Sequence, residues 1–88
     1  MKLIKRNGSE VVFDREKIVA AVAKANSAVE EKDRIPFRDI EQISVEVERT
    51  CLDMPRSPGV EEVQDLVERE LMKRGAFTLA KAYITYRY

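Results

Sequence analysis

The apolar residues of this chain change their period once, at Asp14, and that change limits the folds open to it. Before it, "KLIKR" and "EVVF" flank Asn7-Gly8-Ser9. Asn-Gly is the strongest short-range hairpin signal, because both residues tolerate positive φ, so a β-hairpin is expected over about residues 2–13. After it, apolar residues recur at helical spacing. Asp14 offers an N-cap carboxylate, and Glu16 sits favourably near the positive end of a helix dipole.

Ile18, Ala21, Val22 and Ala25 stand at i, i+3, i+4 and i+7, which predicts a first helix over about 14–27. "EEKDRIP" has no periodic apolar face, and Pro36 disfavours helix at Ile35, so this stretch reads as a linker. A second helix, about 37–53, carries the stripe Ile40, Ile43, Val47 and Cys51. Ser57 then reads as an N-cap with Pro58 at the first helical position. Val60, Val63, Leu66, Val67 and Leu71 mark a third helix, and Gly75 stands where a helix C-terminus favours a left-handed residue. A fourth helix is expected through Ala76, Leu79, Ala80, Tyr83, Ile84 and Arg87, running past the final residue. The ending "YITYRY" has no polar tail, which leads us to expect a fragment of a longer protein.

Eighty-eight residues suit one domain spanning 1–88. With 16 cationic and 16 anionic side chains the net charge is zero, which argues against general affinity for nucleic acid. Cys51 is the only cysteine and there is no histidine, so no internal disulfide, Cys-His dyad or Cys/His zinc site can form. A metal-free cytoplasmic module is the default. The N-terminus lacks a signal peptide's apolar region, and no apolar run approaches membrane-spanning length.

No catalytic arrangement is visible. A Ser or Cys nucleophile lacks a nearby base, and the carboxylates and lysines read as solvated helix faces. Glu61 and Glu62 point to different faces, and Cys51 reads as a small buried hydrophobe.

The cations of "IKRNGSEVVFDREKI" are placed differently. In a strand Lys5 and Arg6 point to opposite faces, so both can serve one ligand only at the strand's edge or end. Lys17, in the first turn of the following helix, would lie near that end. There unpaired backbone N–H groups favour phosphate, to which Lys adds a point charge and Arg a fork. The same residues also suit an edge strand that discourages sheet association, with Lys17 on a solvated face. Spacing supports both readings.

"IKRNGSEVVFDREKIVAAVAKA" together with "VEEVQDLVERELMKRGAFTLAKAYITYR" resembles the ATP-cone domain, the regulatory nucleotide-binding module at the N-terminus of many ribonucleotide reductases. The resemblance runs from Leu3 to Arg87. It implies an α+β, mainly α fold, in which a β-hairpin caps a small four-helix bundle and binds ATP or dATP as an allosteric effector. Lys5, Arg6 and Lys17 match phosphate-contacting positions. Leu3, Ile4, Val11, Phe13 and Ile18 match positions near base or sugar, and Asp14 a polar position at the helix start. Val60 and Gln64 match the opposite wall, and Arg87 with Tyr86 belongs to the closing motif.

The chain departs from its relatives in two places. Several carry Glu at the position of Val11, where only the neighbouring Glu10 is present, on the other strand face. Some carry Thr and His at the positions of Val60 and Gln64. The same domain also occurs, behind a four-cysteine zinc ribbon, in a bacterial repressor of ribonucleotide reductase genes, and a single cysteine leaves no such DNA-binding head. "LMKRG" and "AYITYR" are closer to the cones of oxygen-independent or cobalamin-dependent reductases.

The expected function is therefore a non-catalytic domain controlling a reductase. Its expected partners are ATP or dATP, the parent's catalytic domain and a further copy through helical faces, with no membrane and no direct nucleic acid. It would have no metal site of its own, magnesium entering only with the nucleotide. The competing readings are a transcriptional regulator's cone without its ribbon and a nucleotide-independent dimerisation module.

Overall fold

The computed structural model describes residues 1–87. Two three-residue strands, β1 (Lys2–Ile4) and β2 (Glu10–Val12), pair antiparallel with Leu3 opposite Val11. Four helices follow: α1 (Arg15–Ala28), α2 (Phe37–Leu52), α3 (Val60–Lys73) and α4 (Phe77–Tyr86). The fold is thus the hairpin and helical bundle that the sequence predicts.

The strands are shorter than expected. The Lys5 amide donates to the Ser9 carbonyl at 2.8 Å and the Gly8 amide to the Lys5 carbonyl at 2.9 Å, so Lys5 and Arg6 belong to the turn. Their expected alternation across a strand therefore does not occur. Gly8 alone in this turn has positive φ, 87°, while Asn7 does not. Asn7 instead accepts at Oδ1 from the Ser9 amide (3.0 Å) and the Ser9 hydroxyl (2.7 Å). The dipeptide works as a side-chain-stabilised turn followed by a left-handed glycine.

Asp14 caps α1 as predicted, its Oδ1 accepting from the Glu16 amide at 3.0 Å. Ile18, Val22 and Ala25 are buried from this helix. The linker contains a single 3-10 turn at Glu31–Asp33. It is fastened by the Asn26 amide, whose Nδ2 donates to the Ile35 carbonyl and whose Oδ1 accepts from the Ile35 amide, both at 3.0 Å. Ile40, Ile43, Val47 and Cys51 are buried along α2, and burial pushes the Cys51 thiol pKa up. Ser44 is buried beside them, its hydroxyl donating to the Glu41 carbonyl at 2.6 Å.

The start of α3 differs from expectation. Its N-cap is Gly59, not Ser57, and Pro58 lies outside the helix, fully buried. The cause is tertiary, since the Pro58 carbonyl accepts the Ile4 amide at 3.0 Å and Ile4 forms a parallel bridge with Gly59. That pairing holds the segment extended until Val60.

The other end of α3 agrees with the sequence. Gly75 has φ 75°, its amide donates to the Met72 carbonyl, and the Ala76 amide donates to the Leu71 carbonyl, both at 3.0 Å, the paired bonds of a Schellman motif. Helix α4 is described to Tyr86, the expected run past the final residue lying outside the described residues, and Ile84, assigned to its apolar stripe, is 46% exposed. Helix α1 packs on α2 and α4, and α3 on the same two, so the four form a closed square. Its centre is filled by Val22, Ile43, Val67, Leu71 and Leu79.

Asn26→Ala removes both bonds to Ile35 and leaves a partly buried amide and carbonyl without partners. It should destabilise the fold by about 1–3 kcal/mol, lowering the midpoint of thermal unfolding by several degrees in a calorimetric scan.

Candidate functional site

The Ile4 bond to Pro58 and the bond from the Phe13 amide to the Met1 carbonyl (2.8 Å) set the hairpin against the start of α3. Between the hairpin, α1, α3 and the end of α4 lies an open cavity of about 750 Å³. Its apolar wall is formed by Leu3 and Val11, which face inward as a cross-strand pair, with Phe13, Ile18 and Val63. Lys5 enters from the turn, while Lys17 and Lys24 enter from α1. None of these three lysines makes an ion pair among the described residues, whereas Arg56, Lys73 and Arg87 each do.

The far wall is polar and already organised. The Gln64 Nε2 donates to the Arg87 carbonyl at 2.9 Å, and Arg87 Nη1 donates to the Glu68 carboxylate. Arg87 Nε is buried with no acceptor among the described residues. The bond from Gln64 fastens the end of α4 to α3. Burial pushes the Tyr83 hydroxyl up to about 12, opposed by Arg87 and reinforced by Glu68 and Asp65, so it remains a neutral donor at neutral pH.

Leu3, Lys5, Val11, Phe13, Asp14, Lys17, Ile18, Val60, Gln64 and Arg87, all singled out from the sequence, line this cavity together. Ile4 and Arg6 are not part of its lining. Ile4 is taken up in joining the hairpin to Gly59. Arg6 projects from the turn to α3, where its Nε donates to Glu61 Oε1 at 2.9 Å and its Nη2 bonds the same oxygen. Glu10 faces away from the cavity wall and pairs with Lys2 at 3.5 Å. The sequence reasoning missed Lys24, Val63 and Tyr83. Lys24 was legible in principle, because it follows Lys17 by seven residues, two helical turns along the same face.

At the start of α3, Glu62 Oε1 accepts the Gly59 amide at 2.9 Å, while Arg56 grips both carboxylate oxygens at 2.8 and 2.7 Å. The Arg56 bond first, then the Gly59 amide, hold the Glu62 carboxyl down to about 2.

The cavity thus sets lysines without ion pairs among the described residues beside an apolar wall, an arrangement that suits an anion carrying an apolar group. The chain belongs to the ATP cone domain family, which matches it over residues 1–88. It is 38% identical over 91 residues to the vitamin B12-dependent ribonucleoside-diphosphate reductase of Thermoplasma acidophilum, covering 98% of this chain and 11% of that protein. It is 32% identical over 95 residues to the ribonucleoside-diphosphate reductase subunit alpha of Chlamydia trachomatis, covering 99% of this chain and 9% of that one. With the anaerobic ribonucleoside-triphosphate reductase of Haemophilus influenzae it shares 33% over 87 residues, 98% of this chain and 12% of the relative. The chain therefore spans about a tenth of the length of these relatives.

Glu62 makes the start of α3 sensitive to acid. Its folded pKa lies below the unfolded value of 4.5, so its contribution to stability is complete above 4.5 and is lost as pH falls towards about 2. In denaturant titrations Glu62→Gln should be less stable than the parent at neutral pH, with the gap closing across that acid window.

Proposed function

We propose that this chain is a non-catalytic regulatory domain that binds ATP or dATP in the cavity under the hairpin and thereby controls a ribonucleotide reductase of which it forms part. The observation that carries the reading is the convergence of Lys5, Lys17 and Lys24, all without carboxylate partners among the described residues, on one cavity of about 750 Å³. Small-molecule sites typically occupy about 300–1,000 Å³, and lysine is well suited to phosphate as a point charge. Membership of the ATP cone domain family and the reductase relatives support the same reading.

In this reading Lys5 and Lys17 hold phosphates through their side chains, the Glu16 and Lys17 amides at the start of α1 being already bonded to Asp14. Leu3, Val11, Phe13 and Ile18 flank the sugar and base, and Ile4 acts by fixing the strand that carries them. Val60, Gln64 and Arg87 close the opposite side, where the Arg87 Nε–H lacks an acceptor among the described residues. With Glu10 turned away, recognition of the sugar falls to groups such as Gln64 and Asp14.

Magnesium would arrive with the nucleotide. Among the described residues there is no cluster of three or more His, Cys, Asp or Glu able to hold a metal, and no helix is long and apolar enough to cross a membrane.

ATP and dATP differ by one hydroxyl, so they can act differently only if each favours a different arrangement of the domain or its contacts. A coupling of about 1–3 kcal/mol suffices, the scale of one or two polar contacts. We read the parent as a cobalamin-dependent or oxygen-independent reductase in the cytoplasm. The wording of "LMKRG" and "AYITYR" supports this, with the vitamin B12-dependent and anaerobic reductases among the relatives.

Isothermal titration of the 88-residue chain with ATP and with dATP should give saturable binding. Lys5→Ala combined with Lys17→Ala should weaken it at least about tenfold, whereas Lys81→Ala, on the exposed side of α4, should leave it unchanged. No heat at millimolar nucleotide would remove the functional reading, and an oligomer indifferent to nucleotide in light scattering would favour a dimerisation module.

A further inference from the structure

The Arg6–Glu61 pair joins two elements at the edge of the cavity. Each partner is the chain neighbour of a residue that lines it, Lys5 before Arg6 and Val60 before Glu61. Two hydrogen bonds from Arg6 converge on one carboxylate oxygen of Glu61. The two side chains are well exposed, 88% and 61%, so solvent and ions can compete for either.

We propose that Glu61 is an internal counter-ligand of Arg6, a carboxylate that a bound polyphosphate must displace, and that it thereby sets how much anionic charge a ligand must bring to recruit this arginine. This rests on the nucleotide reading of the cavity and deepens it.

The physical case is an exchange of like for like. A guanidinium fork accepts carboxylate and phosphate in the same geometry, and phosphate brings more charge and more acceptor oxygens. An exposed pair contributes little, so a phosphate close by can displace the carboxylate. Arg6 adjoins Lys5 on a turn, and its long stem can swing the guanidinium about that corner once released. A ligand whose phosphates do not extend to the turn leaves the pair closed and gains nothing from it. Glu61 therefore reduces what a long polyphosphate gains from Arg6, and leaves unaffected the short ones that never reach it. It also ties the hairpin to the start of α3 in the empty state, so binding that opens the pair loosens this tie.

The experiment compares the parent chain with Glu61→Gln, Arg6→Ala and the double variant, each titrated with ATP, AMP and inorganic triphosphate. Circular dichroism would verify that each remains folded, which the exposure of both side chains favours. Glu61→Gln should bind ATP and triphosphate about two- to fivefold more tightly than the parent, the scale set by an exposed ion pair. The gain should vanish when Arg6 is Ala, and AMP should show none. An equal gain in the Arg6→Ala background would overturn the proposal, because Glu61 would then act only through its general negative field. Weaker or unchanged binding by Glu61→Gln would overturn it as well. Binding by the parent chain tests the nucleotide reading, while the difference between variants tests this one. A parent chain that binds neither ATP nor triphosphate sinks both.

Discussion

The hydrogen bond from the Ile4 amide to the Pro58 carbonyl, 3.0 Å long, is the joint on which the rest of the structure depends. Two strands of three residues bury too little to persist alone in water. Bonded to the segment before α3, and bridged to Gly59, the hairpin becomes a lid whose inward pair, Leu3 and Val11, packs on the bundle. The same residues then serve as floor of the core and wall of the cavity. This contact couples the hairpin to α3, so a shift of one acts on the other.

The charge of the chain matters by where it is placed. A net charge of zero describes the whole sequence and hides a local excess of cations around the cavity. The exposed ion pairs elsewhere contribute about 0–1 kcal/mol each and do not hold the fold together. They occupy some of the other cations with carboxylates, as in Lys2–Glu10 and Arg49–Glu46, while Lys5, Lys17 and Lys24 face the cavity without ion pairs among the described residues. Arg6 stands between the two groups, next to a cavity lysine and yet paired with Glu61.

Helices α1 to α4 were legible because each buries a single stripe at helical spacing, and Asp14 and Gly75 marked their ends through local chemistry alone. What could not be read came from contacts distant in sequence. Ser57-Pro58 looks like a helix start, but the Pro58 carbonyl is claimed by Ile4. The bond from Gln64 to the Arg87 carbonyl spans 23 residues, and the position of Arg6 depends on Glu61, 55 residues on. Asn-Gly correctly marked a turn, but Asn7 used its side chain where the sequence suggested its backbone. Most of the candidate site was visible through the family resemblance, because local physics could not choose between a charged rim and an anion pocket. Lys24 lies two turns along α1 from Lys17, where helical geometry alone places it on the same face.

The central claim is that nucleotide enters the space between hairpin and bundle, and amide chemical shifts of the labelled chain during ATP addition test it most directly. The account predicts that the largest changes fall on Lys5, Gly8, Val11, Lys17, Gln64 and Arg87, with Arg38, Val45 and Arg49 on the outer side of α2 left in place. Changes centred on α2, or none at millimolar ATP, would contradict it.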